Sequence, residues 1–217
     1  MTSLPAIPSY PMPGTGSLPD NRMSWSIDPD RCVLLVHDMQ RYFLDAFVPG
    51  GEPLTSLTAN IARLRSACAD RGVPRIYTAQ PGAQSAEQRG LLSDLWGAGM
   101  SDDPAHTAIT DPLAPEDGEV LLTKWRYSAF VRTDLEERLR AAGRDQLVIC
   151  GVYAHIGVLM TACDAFMRDV QPFVVADAVA DFSEEDHGMA IAYAASRCAM
   201  AVSADSVLES LAATVPV

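Results

Sequence analysis

The stretch that decides the fold lies near the start of the chain, at residues 32–43, and reads CVLLVHDMQRYF. Its first five residues are apolar, which is typical of a parallel strand covered on both faces. Asp38 is the first acidic residue after this run, so we expect it at the carboxyl end of a strand, where parallel α/β sheets hold their sites. Asp38 is therefore the leading catalytic candidate. The alternative is that Asp38 only caps the helix that follows.

Short apolar runs alternate with amphipathic segments along the rest of the chain, a pattern that predicts a parallel sheet with crossover helices. The predicted strands are Cys32–Val36, Val73–Thr78, Glu119–Thr123, Gln146–Cys150, Pro172–Ala176 and Ala199–Ser203. The predicted helices are Thr55–Arg71, Thr133–Ala142, Ala154–Arg168 and Ser183–Arg197. Gly72 and Gly143 are placed to end the first two helices, and Ser183 to cap the fourth. The expected class is α/β, with a six-stranded parallel sheet flanked by helices on both faces in three Rossmann-like layers.

Length and composition predict one domain. The chain has 217 residues and 48% hydrophobic content, enough for a single core. We expect residues 1–28 to form a Pro-rich strap that packs on a single domain at 29–217. Residues 1–19 contain no Lys or Arg and so do not resemble a secretory signal, and no apolar stretch approaches the length of a membrane span. The expected location is the cytoplasm.

Charge and cysteine content narrow the range of partners. The net charge of −12 disfavours nucleic acid and anionic membranes, because phosphate binding needs clustered Lys and Arg. A small anionic substrate is compatible with this charge if a few cations are placed locally. The five cysteines lack CxxC spacing, so we expect reduced core residues, with neither a disulfide framework nor a zinc site.

Polar residues follow the first four predicted strands, and right-handed crossovers place these loops at one edge of the sheet. They are Asp38, then Gln80, then Lys124 with Arg126 and Tyr127, and finally the segment GVYAHIG at 151–157. Each has an ordinary explanation alone, such as a surface lysine or a core aromatic. Their convergence on one edge predicts a functional site there.

Several longer motifs resemble the isochorismatase family over nearly the whole chain. They are HDMQ at 37–40, YTAQP at 77–81, KWRYSAF at 124–130, GVYAHIG at 151–157 and VADAVADFS at 175–183, together with Trp25 and AASR at 194–197. The resemblance implies the isochorismatase-like fold, a homodimer, no cofactor, and a small chorismate-derived anion as substrate. It also implies site residues, with Asp38, Lys124 and Gly157 as the catalytic set and Phe43, Gln80, Arg89, Trp96, Tyr127 and Tyr153 as substrate-binding residues.

Cysteine amidases belong to the same superfamily, and position 157 bears on the choice between the two chemistries. The resemblance aligns Gly157 with the nucleophilic cysteine of nicotinamidase-like members, so a thioester mechanism is disfavoured. Gly157 is expected to leave room for substrate, with neighbouring backbone amides free to donate to a substrate oxygen, although a simple packing role is equally compatible with the sequence. The Asp-x-His metal motif of the amidases has no counterpart near the second strand, so we expect no metal.

The resemblance implies hydrolysis of an enolpyruvyl vinyl ether, begun when Asp38 protonates the terminal methylene carbon. Burial should raise the pKa of Asp38 and Lys124 should lower it, and the sequence leaves the balance open. Within the family the motifs are most similar to stand-alone enzymes of phenazine biosynthesis, which act on 2-amino-2-deoxyisochorismate, and the lack of a carrier domain up to Val217 favours that substrate. Isochorismate, for a siderophore pathway, and an amide are the alternative substrates. Asp177 and Asp181 are interpreted as loop-ordering and capping residues, and Arg126 as a surface or interface residue.

Overall fold

A computed structural model describes residues 4–213, so the ends of the predicted strap and domain, 1–3 and 214–217, lie outside the described residues. One six-stranded sheet has the order β3-β2-β1-β4-β5-β6, and all neighbouring strands are parallel. The strands are β1 (Cys32–His37), β2 (Arg75–Ala79), β3 (Val120–Thr123), β4 (Gln146–Val152), β5 (Gln171–Ala180) and β6 (Met200–Val202). The predicted α/β class and the six parallel strands are confirmed.

Helices and helical turns connect the strands. The α-helices of the described part are α1 (Arg41–Leu44), α2 (Leu54–Arg71), α3 (Ala86–Arg89), α4 (Leu92–Trp96), α5 (Pro104–Thr107), α6 (Leu135–Ala141), α7 (Leu159–Met167), α8 (Glu184–Arg197) and α9 (Ala204–Ala212). Short 3-10 turns cover Thr15–Ser17 and Asp111–Leu113, and a wide π-helical turn covers Ala154–Val158.

The predicted helix ends agree with the structure. Gly72 ends α2 in the left-handed conformation, with φ of 71°. Gly143 directly follows Ala142, the C-cap residue of α6, and has a φ of 65°. At the start of α8, the Ser183 side chain accepts a hydrogen bond from the Asp186 amide. Glycine at a left-handed helix end avoids the strain that a Cβ would impose.

The two largest differences from the predicted boundaries lie in the helix after β4 and in β5. The helix predicted as Ala154–Arg168 begins with the π-helical turn and is α-helical only over α7. Strand β5 extends to Ala180, because its register with β4 shifts at an irregularity between Ile149 and Gly151 and pairing then resumes at Gly151 and Val179.

The strand order places a crevice beside β1. Strands β2 and β3 lie on one side of β1, and β4 to β6 lie on the other. The chain therefore crosses in opposite directions on the two sides, and the loops after β1 and β4 part at the carboxyl edge. This is the switch point at which open parallel sheets bind ligands.

Two apolar layers cover the sheet. Residues 32, 34 and 36 of β1 pack in one core cluster with α2 and α9, whereas Val33 and Leu35 pack in the other with α6, α7 and α8. All six residues of β1 are buried, as expected for a central strand with both faces covered. The rigid core thus fixes where β1 ends.

The N-terminal residues of the described part pack along the domain. Ile7 forms an isolated parallel bridge with Phe47, and Tyr10 Oη lies 3.1 Å from Nδ1 of His187. The Trp25 ring centroid lies 6.4 Å from both the Phe166 and Phe173 rings. Among residues 4–213, no helix has the length and apolarity that a membrane crossing needs.

Candidate active site

Asp38 lies directly beyond the end of β1 and is 3% exposed. The strand register pairs His37 with Thr78 of β2, which brings Thr78 beside Asp38. The Thr78 hydroxyl donates to Oδ1 of Asp38 at 2.5 Å, and the Asp38 amide donates to the Thr78 carbonyl oxygen at 3.2 Å. The φ of Asp38 is 49°, a left-handed value uncommon for a residue with a side chain. Backbone and hydroxyl together fix where the carboxyl group points.

Lys124 follows β3 and is 1% exposed. Its Nζ lies 2.9 Å from Oδ2 of Asp38 and also donates to the backbone oxygens of Arg126 at 2.9 Å and Tyr127 at 3.5 Å. The ammonium therefore has one carboxylate and two carbonyl oxygens as acceptors. Its geometry suits charge stabilisation and positioning of the carboxylate.

The structure does not support the alternative role of Asp38 as a helix cap. Helix α1 begins at Arg41 with Gln40 at its N-cap position, and no side chain caps it. The Asp38 oxygens accept instead from Thr78, Lys124 and, at 3.3 Å, the side-chain amide of Gln80. These contacts tie three strand ends together.

The balance of effects on the Asp38 pKa, which the sequence leaves open, is settled by these contacts. Burial raises the pKa of Asp38. The Lys124 charge, the neighbouring His37 and the Thr78 hydroxyl together lower it by more than burial raises it, so the pKa lies below its usual range. The ligand-free site thus holds an Asp38 carboxylate at neutral pH.

A cavity with an empty volume of about 600 Å³ opens beside Asp38. All nine residues predicted for the site line it. They are Asp38, Phe43, Gln80, Arg89, Trp96, Lys124, Tyr127, Tyr153 and Gly157.

Gln80 is fixed from the side opposite the cavity by Gln40. The Gln40 side chain accepts the Gln80 amide at 2.8 Å and donates to the Gln80 carbonyl oxygen at 2.9 Å. The same Gln40 nitrogen lies 2.8 Å from the Thr107 carbonyl oxygen. Gln40 therefore holds the loop after β2 and leaves the Gln80 side chain at the cavity.

Arg89 ends the short helix α3 and is 6% exposed. Its side chain donates to the Gly97 carbonyl oxygen, and Nη2 lies 3.5 Å from the Trp96 carbonyl oxygen. Within residues 4–213, no carboxylate lies within ion-pair distance of Arg89. Burial lowers its pKa, but arginine stays charged at neutral pH. A buried cation without a counter-ion is suited to an anionic ligand.

Aromatic side chains form one wall of the cavity. Phe182 stacks on Tyr153 at 4.3 Å between centroids and on Trp96 at 6.0 Å, and Trp96 Nε1 donates to Tyr127 Oη at 2.7 Å. The hydroxyl of Tyr153 donates to the Phe43 carbonyl oxygen at 2.7 Å. Its proton is therefore not free for a substrate carboxylate, and Tyr153 offers the cavity chiefly its ring.

Gly157 lies in the π-helical turn, and its neighbouring amides correct one expectation. The Ile156 and Val158 amides both donate to the Tyr153 carbonyl oxygen, and the His155 amide donates to Asp181. Those donors are occupied, so they are not free for a substrate oxygen.

No cysteine of the described part lines the cavity. Cys150 is buried within β4, where burial raises its pKa, and its thiol lies 3.5 Å from the Leu35 carbonyl oxygen. Cys163 and Cys198 lie with their sulfur atoms 3.5 Å apart, and all five cysteines are free. Among residues 4–213, the site therefore contains a carboxylate and an ammonium but no thiol.

Several residues at the cavity were not singled out as site residues from the sequence. They are Leu4, His37, Tyr42, Leu92, Gly99, Met100, Val152, Ile156 and Phe182 on its surface, and Thr78 behind Asp38. Thr78 and His37 stand within quoted motifs. Their alignment across β1 and β2, which brings them to the site, follows from strand register and not from local sequence.

His155, Asp181 and Asp186 form the cluster whose side chains could hold a metal ion. Asp181 already accepts hydrogen bonds from the His155 and Phe182 amides, and its carboxylate lies 2.7 Å from Nδ1 of His155. Asp186 accepts a hydrogen bond from the Ser183 hydroxyl. Asp177 accepts the Ala204 amide at 2.7 Å. These contacts agree with loop-ordering and capping roles for Asp177 and Asp181.

Comparison with known proteins identifies the family of the chain. Residues 32–206 match the family model described as the isochorismatase domain. The chain belongs to the isochorismatase family. It is 58% identical to the phenazine biosynthesis protein PhzD1 of Pseudomonas aeruginosa over 96% of this chain and 100% of that protein. It is 55% identical to an isochorismatase of Bacillus subtilis over 96% of this chain and 67% of that protein.

Two solved structures share the fold of this chain. A cysteine hydrolase from Pseudomonas syringae superposes with a TM-score of 0.79 at 22% identity, covering 90% of this chain and 98% of that one. An N-carbamoylsarcosine amidase from Thermoplasma acidophilum gives 0.67 at 26% identity, with coverage of 81% and 97%. The fold therefore serves more than one chemistry, and the site has to decide between them.

Proposed function

We propose that this isochorismatase-family hydrolase cleaves the enolpyruvyl vinyl ether of 2-amino-2-deoxyisochorismate to pyruvate and 2,3-dihydro-3-hydroxyanthranilate. The observation that carries the proposal is the buried Asp38–Lys124 pair at a cavity without a thiol. Since no cysteine of the described part is placed for covalent attack, acid catalysis by Asp38 is the mechanism that this site favours. The phenazine biosynthesis relative supports a place in secondary metabolism.

The reaction begins with a proton on the Asp38 carboxyl group. That proton passes to the terminal methylene carbon of the vinyl ether, and the ether becomes an oxocarbenium ion. Water adds to the cationic carbon and loses a proton. The resulting hemiketal then gives up its hydroxyl proton and breaks its bond to the oxygen attached to the carbon ring, and that oxygen takes up a proton. Pyruvate and the dihydro-aromatic alcohol are released, so no bond to the protein forms.

Asp38 must gain its proton when substrate binds, because the ligand-free site holds it as a carboxylate. The substrate brings two carboxylates into a buried cavity, and nearby negative charge raises the pKa of a carboxyl group. Lys124 keeps the group in place and stabilises its charge once the proton has left. Lys124 therefore acts in support and not as the proton donor.

Three features of the cavity wall support a substrate with a carboxylate and a carbon ring. Arg89, buried without a carboxylate partner in the described part, is placed to bind a substrate carboxylate through its planar guanidinium. The stacked rings of Trp96, Phe182 and Tyr153 offer an apolar surface to the carbon ring. Gln80, held by Gln40, places an amide next to Asp38.

A second candidate substrate is isochorismate, which would give 2,3-dihydroxy-2,3-dihydrobenzoate for a siderophore. The Bacillus subtilis isochorismatase, at 55% identity, favours it. The two substrates differ only by OH in place of NH₂ on the ring. An amide substrate is the weaker alternative because position 157 carries no thiol.

The deciding experiment is a coupled pyruvate assay on both chorismate derivatives, with nicotinamide tested for ammonia release. We expect a higher kcat/KM for the amino compound and no ammonia. Higher kcat/KM for isochorismate would assign the siderophore reaction, and ammonia without pyruvate would overturn the proposal. The homodimer remains a prediction from the family resemblance, and the cytoplasmic location remains a prediction from the sequence.

A further inference from the structure

His37 and Gly157 meet face to face at the floor of the cavity. His37 is the last residue of β1, is fully buried and points to the same side of the sheet as Leu35, where the turn before α7 packs. A Cβ placed on Gly157 would lie 2.1 Å from Cε1 of His37 and 2.8 Å from its Nε2. The imidazole therefore occupies the space of any side chain at position 157.

The backbone is not what demands glycine at this position. Gly157 is not among the glycines with positive φ, so an ordinary residue could adopt its conformation. Gly151 is different, because its φ is 112° and a Cβ there would lie 2.1 Å from the His37 carbonyl oxygen. At position 157 the obstacle is a side chain alone.

The His37 ring cannot easily move aside. Its Nδ1 lies 2.8 Å from the Val152 carbonyl oxygen, an acceptor, so Nδ1 carries the proton of the neutral ring. Burial lowers the pKa of His37, which favours that neutral form. Nε2 has no hydrogen-bond partner in the described part of the chain.

We propose that His37 is a specificity-determining positioning residue, which reserves position 157 for glycine and thereby keeps a nucleophile out of the cavity beside Asp38 and Lys124. The exclusion of a covalent mechanism then depends on the His37–Gly157 pair and not on Gly157 alone. The packing half of this inference stands on geometry, and its chemical half rests on the proposed function.

The first test is a double-mutant cycle in melting temperature. Gly157→Ala should lower the melting temperature by about 5 °C, because an extra methyl group in a filled site is destabilising. Gly188→Ala in α8 is the matched control, since a Cβ there meets no atom within 4 Å. In a His37→Ala background, Gly157→Ala should cost nothing or raise the melting temperature.

The second test reads chemistry that packing alone would not change. We expect the His37→Ala/Gly157→Cys double variant to gain a thiol that iodoacetamide alkylates at position 157, with the thiolate displacing iodide, as mapped by peptide mass spectrometry. Gly157→Cys alone should misfold or leave that thiol unreactive. Peptide mapping separates position 157 from Cys163, which is partly exposed and whose pKa is lowered by its hydrogen bond with the Cys198 thiol.

Three results would overturn the inference. One is a Gly157→Cys single variant with wild-type stability and a reactive thiol. Another is a Gly157→Ala substitution that lowers the melting temperature as much in the His37→Ala background as in the wild type. If His37→Ala does not fold, the comparison with Gly188→Ala still decides, because equal melting temperatures for the two alanine variants would remove the steric conflict. These thiol and stability readouts need no substrate, so they can fail or succeed independently of the pyruvate assay.

Discussion

Oδ2 of Asp38 lies 2.9 Å from Nζ of Lys124, and the two side chains are 4% and 2% exposed. A buried pair of this kind stabilises each ion only in the presence of the other, because removal of one leaves an uncompensated charge. The same contact lowers the pKa of the group proposed to donate a proton. Both the stability and the pH dependence of the protein should therefore depend on this pair.

The pair should be energetically coupled. Lys124→Met leaves the Asp38 carboxylate buried and unpaired, so we expect the free energy of unfolding to fall by about 3 kcal/mol at pH 7. Asp38→Asn/Lys124→Met should lose less than the sum of the single variants in denaturant titrations. The control is Arg63→Met, which breaks the exposed pair with Asp205 and should cost less than about 1 kcal/mol. Additive losses at Asp38 and Lys124 would argue against coupling.

The pH dependence of stability has a defined sign. In the wild-type protein the lowered pKa of Asp38 stabilises the folded state. This stabilisation is fully present when the pH is above the ordinary Asp pKa of about 3.9, and it is lost as the pH falls through the folded-state pKa. Lys124→Met leaves burial as the main effect and should raise that folded-state pKa. The loss in free energy of unfolding relative to the wild type should therefore become smaller as the pH falls from 7 to 5. A loss that stays constant over this range would contradict the expectation.

Substrate binding should take up a proton. If Asp38 is the acid and its pKa is low in the free protein, log kcat/KM should fall by about one per pH unit across the neutral range, while kcat should hold to higher pH. Calorimetry in buffers of different ionisation enthalpy should show uptake of about one proton per ligand in the wild type, and none in Asp38→Asn. A pH-independent kcat/KM without proton uptake would speak against a protonated Asp38.

Thr78 should act as a positioning residue through its hydroxyl. Thr78→Val keeps the shape but removes the 2.5 Å hydrogen bond to Asp38, so we expect kcat to fall about tenfold with KM little changed. Thr78→Ser retains the hydroxyl and should recover most of the loss. Equal impairment of the Ser and Val variants would show that packing, and not the hydrogen bond, is what matters.

Arg89 should contribute binding more than rate. Arg89→Gln removes the buried cation, and we expect KM to rise about 10- to 100-fold with kcat changed far less, as for binding shared by ground and transition states. Arg63→Gln, on the surface away from the cavity, is the matched control. A fall in kcat with unchanged KM would place Arg89 in the chemical step instead.

The sequence predicted the sheet well because a buried parallel strand leaves a strong local signal. The apolar run before Asp38 is β1, and the polar residues after β1 to β4 meet at one edge. The short helices α3 and α4 were not predicted, since four or five residues are too few to show a helical period. Helix α9 was also missed, although the capping box of Ser203 and Ser206 was a signal for its start.

Contacts across strands were beyond local sequence. The pairing of His37 with Thr78 and with Gly151 is a matter of register, and only that register brings the Thr78 hydroxyl to Asp38. The conflict between His37 and a side chain at position 157 likewise appears only once the turn after β4 packs against β1. The low pKa of Asp38 follows from the same three-dimensional contacts.

The central claim, that Asp38 protonates the substrate, is tested most directly by pyruvate release from Asp38→Asn. The variant preserves shape but cannot supply an acidic proton, so we expect kcat to fall at least about 10²-fold while calorimetry still shows ligand binding. Asp145→Asn, which alters an exposed carboxylate paired with Arg31, should keep wild-type turnover. Turnover of Asp38→Asn close to that of the wild type would contradict the account.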